Sequence, residues 1–180
     1  MMWIRKRILR SSCGALIMTV AFMASSSAGG AACGHGTASY TDINAVRYER
    51  GGCFGHCPYY QVLFTRLGKC YYVGMKNVSK LGTYESSCSP RILLRAANVL
   101  RSRNFYGTDY DSSALILDTP HYIVSAERCG VTTILNWPAH GTNSRITGLM
   151  DDLDAITKRV KWRKISDSSE SPVSGIATIP

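Results

Sequence analysis

No stretch of this 180-residue sequence is apolar for long enough to anchor the chain in a bilayer. The run from Ala15 to Ala24, broken only by Thr19, falls short of the roughly 20 residues that a membrane-spanning helix needs. Acidic residues are also scarce, 12 Asp and Glu against 21 Lys and Arg, and none lies in the first 28 positions. The four histidines, His35, His56, His121 and His140, are scattered. There is no Gly-x-Ser-x-Gly elbow, phosphate loop, dinucleotide fingerprint or His-Glu-x-x-His zinc pair. These absences remove the familiar signatures of esterases, nucleotide-binding enzymes and metalloproteases. No catalytic residue, metal or cofactor is expected.

The N-terminus has an ordered pattern. Arg5, Lys6, Arg7 and Arg10 form a basic start, the short apolar run follows, and small residues fill Ser25 to Ala32. Charge, apolar core, then small side chains is the layout of a secretory signal. A buried helix would show polar periodicity, which this run lacks. Ser26 and Ala28 place small residues where a signal peptidase reads, so cleavage is expected after Ala28. The alternative cut, after Ala32, would leave Cys33 to carry a lipid. Gly30 stands where a lipoprotein signal usually has Leu, which disfavours that cut. The expected organisation is therefore a signal over 1–28, a Gly- and Ala-rich flexible lead over 29–41, one domain over 42–165 and a Ser- and Pro-rich disordered tail over 166–180. The expected location is the periplasm or the extracellular space, with an outer-membrane lipoprotein as the minor alternative.

Losing the leader changes two counts. Its four basic residues leave 17 against 12 acidic ones, a net charge of +5. Much of that excess sits in Lys158 to Lys164, read here as a solvated helix face. No nucleic-acid motif accompanies it, so no nucleic-acid partner is expected. The partners that suit such a domain are an envelope protein or a small ligand. Of seven cysteines, Cys13 leaves with the signal, and Cys33, Cys53, Cys57, Cys70, Cys88 and Cys129 remain. An even number in an exported domain points to disulfides. Six cysteines allow fifteen pairings.

Alternation and punctuation define the elements. Ile43 to Arg50 reads as a strand ended by Gly51-Gly52. Tyr59 to Arg66 reads as a second, with Tyr60, Val62 and Phe64 on one face. Leu67-Gly68-Lys69 turns the chain, and Cys70 to Val73 returns as a third strand. Ser89 and Pro90 suit the cap and first position of a helix carrying Ile92, Leu93, Ala96, Val99 and Leu100 on one side. Asn104 to Ser113 reads as an aromatic, polar loop in which Tyr106 and Tyr110, beside Asp109 and Asp111, are candidate binding residues. Asp118-Thr119-Pro120 precedes a second hairpin, His121 to Glu127 and Val131 to Trp137. Asp118 is a further binding candidate, although Asp before Thr-Pro more often organises a turn. The last helix carries Ile146, Leu149, Met150, Leu153, Ile156 and Val160 as one stripe, with Asp151, Asp152 and Asp154 on its outer side. Two hairpins and two helices without strand–helix alternation predict an α+β fold: one antiparallel sheet packed against two helices.

The most distinctive segment runs from Arg50 to Tyr60. Cys53-Phe54-Gly55-His56-Cys57-Pro58-Tyr59 resembles the signature of a family of bacterial exported proteins classed as a domain of unknown function. Tyr72-Val73-Gly74, Gly82, Asp118-Thr119-Pro120 and Trp162 fit the same resemblance, which runs from Val46 to Trp162. It implies a fold and a compartment but no reaction. Physically, the motif is a tight loop between strands, in which Gly51, Gly52 and Gly55 supply unusual backbone angles and Pro58 sets the entry to the next strand. Cys53 and Cys57 are close enough in sequence to bond if the loop folds back. Three readings compete. A structural disulfide is favoured on compartment grounds. Thiol–disulfide exchange usually uses Cys-x-x-Cys at a helix start. A metal site from Cys53, His56, Cys57 and His121 lacks the paired ligand spacing of zinc sites. The expectation is a non-enzymatic, disulfide-stabilised binding or structural module, with an envelope thiol oxidoreductase acting through Cys53 and Cys57 as the alternative.

Overall fold

The computed structural model describes residues 42–51, 53, 55–107, 121–138 and 144–169. The expected leader, the lead with Cys33, and Gly52, Phe54, Tyr110 and Asp118 lie outside these residues. Within them the elements run β1 (Ile43–Arg50), β2 (Tyr59–Thr65), β3 (Lys69–Lys76), β4 (Gly82–Ser87), α1 (Pro90–Ser102), β5 (His121–Arg128), β6 (Val131–Pro138), α2 (Ser144–Thr157) and β7 (Arg163–Ser166). The strands form one antiparallel sheet in the order β6-β5-β1-β2-β3-β4-β7. The α+β expectation holds, with hairpins β2–β3 and β5–β6 inside a larger sheet.

Period-two alternation places one set of side chains on the helix side: Val46 and Tyr48 of β1, Val62 and Phe64 of β2, Val124 and Ala126 of β5. All are at most 1% exposed. Against them lie Leu93, Ala96, Ala97 and Leu100 of α1 and Leu149, Met150, Leu153 and Ile156 of α2. Each large apolar side chain so buried contributes about 1.5–3 kcal/mol. Helices of 13 and 14 residues are marginal alone in water, so this docking holds them. Ser89 caps α1 as expected, its hydroxyl accepting from the Arg91 amide at 3.3 Å, and Pro90 follows it.

Two details depart from the sequence reading, and one cysteine pairing that it left open is given by the structure. Strands β4 and β7 were not anticipated. β4 is Gly-Thr-Tyr-Glu-Ser-Ser with little alternation in burial, and all four residues of β7 are exposed. Their extended form comes from pairing, β4 along β3 and β7 along β4. In addition, α2 ends at Thr157. The basic run from Lys158 to Lys164 is therefore not a helix face. Residues 158–160 form a turn, while Arg163 and Lys164 enter β7. Lastly, Cys70 and Cys88 form a disulfide with Cα atoms 5.7 Å apart, joining the start of β3 to the residue after β4. Cys70 is fully buried in the core.

Candidate functional site

The cysteine motif forms the loop from β1 to β2. Cys53 and Cys57 are bonded, with Cα atoms 5.5 Å apart. The chain then enters a strand, so no helix N-terminus lies there to lower a thiol pKa. Both sulfurs are consumed by the bond, which removes them as metal ligands, and His56 is exposed. The expected role of the glycines needs correction. Neither Gly51 nor Gly55 has a left-handed φ. Gly51 is needed for space instead: a Cβ there would stand 2.1 Å from the His121 ring. Its amide donates to the His121 carbonyl at 2.7 Å. Across the loop, the Asn77 side-chain amide donates to the carbonyls of Gly55 at 3.3 Å and Cys57 at 3.1 Å. The disulfide loop is thereby tied to the β3–β4 turn.

Four tyrosines recur at intervals of twelve residues, Tyr48, Tyr60, Tyr72 and Tyr84. Strand register turns that recurrence into a row on the helix side of β1, β2, β3 and β4. Tyr72 stands directly opposite Tyr84, Val62 opposite both Tyr48 and Tyr72 on its two flanks, and Tyr60 opposite Arg50. Ring centroids along the row are 6.1, 5.6 and 5.9 Å apart. Trp162, just before β7, extends the row at 5.7 Å from Tyr72, and its indole N–H donates to the Thr157 carbonyl at 3.1 Å. Aromatic neighbours at these separations add attraction beyond the area they bury.

Asp154 of α2 is the polar centre of this row. It accepts hydrogen bonds from the hydroxyls of Tyr48, at 3.0 Å, and Tyr60. Arg50 pairs with it at 3.0 Å and also reaches Asp151 at 3.2 Å. The Tyr48 hydroxyl lies 2.6 Å from that of Thr157. The Arg50 guanidinium sits 5.1 Å from the centre of the Tyr122 ring, a cation–π contact. Burial, then the charge of Asp154, raises the pKa values of Tyr48 and Tyr60 well above the ordinary phenol value. Burial, then Tyr84 and Asp154, pushes Tyr72 up to about 12. Burial works to lower the pKa of Arg50, but Asp154 and neighbouring groups outweigh it and the net shift is upward. The phenols therefore stay neutral donors and Arg50 stays charged at physiological pH.

Above this centre opens a cleft of about 350 Å³. Its floor is Tyr60 and Tyr72, each 8% exposed. Val160 and Trp162 form one side, and Asn77 to Lys80 form the other. Pro58 brings the cysteine motif to its edge, and Lys158 stands at the end of α2. Gly74 makes the shape possible, since a Cβ there would lie 1.7 Å from the Lys80 carbonyl oxygen.

A family model described as domain of unknown function (DUF6438) matches residues 44–157. The chain belongs to this family. No curated protein matches the chain. The DUF6438 match takes in the cysteine motif, the four tyrosines and Asp154, and it stops at the last residue of α2. Lys158, Val160, Trp162 and β7 lie beyond it, so the DUF6438 segment supplies the floor and polar centre while the residues after it complete one wall.

The opposite face of the DUF6438 sheet has a smaller polar cluster. Glu49 is 6% exposed. It accepts from the Gln61 amide at 2.8 Å and from Tyr59, with Arg47 and His121 each at 3.6 Å. Burial, then Glu49, raises the Tyr59 pKa.

Among the other residues singled out from the sequence, Tyr106 is half-buried against Phe105, with the Arg128 guanidinium 5.9 Å from its ring centre. It does not line the cleft. Cys129 is also disulfide-bonded. Asp154 corrects the reading of an outer acidic face: its side chain is 18% exposed, against 65% for Asp151. Sequence reasoning missed Tyr48, Arg50, Asp154 and Trp162 as one constellation. The twelve-residue tyrosine spacing was the available signal.

Proposed function

We propose that this chain is an exported, disulfide-stabilised binding module that holds a small ligand in the cleft between the tyrosine row and the α2–β7 connection. The observation that carries this reading is the cleft itself. Its floor is aromatic, its central carboxylate is engaged by Tyr48, Tyr60 and Arg50, and its volume suits a small molecule. A carboxylate so engaged is poorly placed to act as a general base, which favours binding over chemistry. The N-terminal charge pattern, the even cysteine number after removal of Cys13, and the two bonded pairs support an oxidising destination.

The same cysteine arithmetic bears on the lead. Cys53–Cys57 and Cys70–Cys88 are taken, so Cys13 and Cys33 are the cysteines of the sequence left to be proposed as partners of Cys129. Removal of Cys13 with the signal leaves Cys33. A Cys33–Cys129 bond uses the sulfur that lipidation would need and disfavours the lipoprotein alternative. The test is intact mass and non-reducing peptide mapping of the full chain expressed in a bacterium with an envelope. The expected product begins at Gly29, sits in the periplasm and yields a Cys33–Cys129 peptide. A cytoplasmic, uncleaved product would overturn the export reading. For thiol exchange through Cys53 and Cys57, the deciding measurement is the reduction potential, expected below about −300 mV for a structural bond.

A further inference from the structure

We propose that the cleft selects an anionic ligand with a flat apolar body, its charged head held by Lys80 and Lys158 and its ring laid along Tyr72 and Trp162. The inference rests on the cleft being a binding site and adds the chemical class of what it takes.

Most polar groups that border the cleft are already engaged by the protein. Asp154 would be the natural anchor for a cation in an aromatic setting. It is, however, already met by Arg50 at 3.0 Å, which it shares with Asp151, and the Tyr48 and Tyr60 hydroxyls donate to it. The Thr157 hydroxyl is engaged by Tyr48 at 2.6 Å. A cationic ligand entering here would have to compete with a guanidinium and two phenol donors already in place. Lys80 and Lys158 differ. Both border the cleft, one from the β3–β4 turn and one from the end of α2, and both are exposed. Neither ammonium has an ion-pair partner among the described residues. Two unpaired cations at the mouth outweigh the single negative charge that Asp154 and Asp151 leave over after Arg50, and a concave site focuses the resulting positive potential. The Asn77 amide is held by the carbonyls of Gly55 and Cys57, Ser79 adds a neutral hydroxyl, and the apolar part of the lining is the half-exposed Trp162 beside Tyr72, with Val78, Val160 and Pro58. A lysine ammonium is a point charge without a planar fork, so carboxylate, sulfonate and phosphate heads all satisfy it. The shared chemistry is an anion on a planar apolar body.

Three isosteric probes separate the possibilities: 2-naphthoate, neutral 2-naphthamide and cationic 2-naphthylmethylammonium, titrated calorimetrically into the mature protein. The expected result is one site for 2-naphthoate, tighter than for the other two. The double variant Lys80→Gln/Lys158→Gln should weaken 2-naphthoate on the order of tenfold, as expected for two exposed charge contacts. It should leave 2-naphthamide unchanged. Both positions are solvent-exposed, so the variant is expected to fold. If the cationic probe binds as tightly as the anion, or if the lysine variant binds 2-naphthoate as wild type does, the anion inference is overturned. Loss of all three probes on Trp162→Leu would show that the cleft reading still stands in that case. If none of the probes binds, both the cleft reading and the inference fall.

Discussion

Among the described residues, Glu49 on one face of the sheet and Asp154 on the other each accept from tyrosine, and the two are assembled in different ways. On the face away from the helices, Glu49 meets Gln61 at a sequence separation of 12, across a single hairpin. On the helix face, Asp154 meets Tyr48 at a separation of 106 and Tyr60 at 94. The hydrogen bonds of the first cluster need only β1 and β2 to pair, with His121 added from the neighbouring β5. The second exists only once α2 has crossed the whole sheet and docked. Asp154 therefore couples helix docking to the order of the central strands, whereas Glu49 does not. The cleft lies on the side with the long-range centre, so its shape depends on the complete fold.

The largest test of that contrast is removal of the two carboxylates. Asp154→Ala takes the acceptor from the Tyr60 hydroxyl and leaves Arg50 only the exposed Asp151 and Tyr48 only Thr157, inside the helix–sheet interface. It should cost about 3–5 kcal/mol in urea unfolding, the range for breaking a buried ion pair. Glu49→Gln retains shape and leaves hydrogen-bonding partners, and should cost about 1–2 kcal/mol. Equal losses would mean that the two centres do equivalent work.

The disulfides give the next test. Cys70–Cys88 spans 18 residues and sits in the helix-side core, while Cys53–Cys57 spans four at a loop. Paired replacement by Ala should cost about 3 kcal/mol at the first and about 2 kcal/mol at the second on loop-entropy grounds. The core pair also loses packing. The reverse order would place the cysteine motif, and not the core pair, at the centre of stability.

The gentlest test is an alkaline titration. A phenol whose folded pKa is raised keeps its proton where the unfolded chain has lost it. Such a group stabilises the fold fully below about pH 10, the unfolded value. That stability falls as pH rises, and for Tyr72 the loss is complete once its folded value of about 12 is passed. Phenolate absorbance should therefore show the helix-face tyrosines ionising last, together with a stability that declines above pH 10. Ionisation of Tyr72 at pH 10 would mean that the cleft floor is open to water.

How much of this was legible depended on the range of the signal. β1 was readable to its exact ends, since Ile43–Arg50 alternates and Gly51 stops it. The α1 cap and stripe were readable because Ser89, Pro90 and the apolar spacing act within a few residues. β4 and β7 were not, because their residues carry no strand pattern and are extended by their neighbours. Asp154 read as one of three acids on a solvated face, because a helix pattern shows which side is apolar and not what stands opposite its border. The cleft needed the same information twice over, from α2 and from the β3–β4 turn.

The sequence by itself determined the α+β class, the local hairpins and helices, and the closeness of Cys53 to Cys57. These follow from backbone geometry and side-chain periodicity over short spans. Tertiary structure decided the rest: that Cys70 pairs with Cys88, that tyrosines twelve residues apart become one row, and that Asp154 becomes the centre beneath a cleft. The physical reason is that a buried charge takes its partners from whatever elements desolvate it. Here those elements are β1, β2 and α2, brought together only when the sheet is complete.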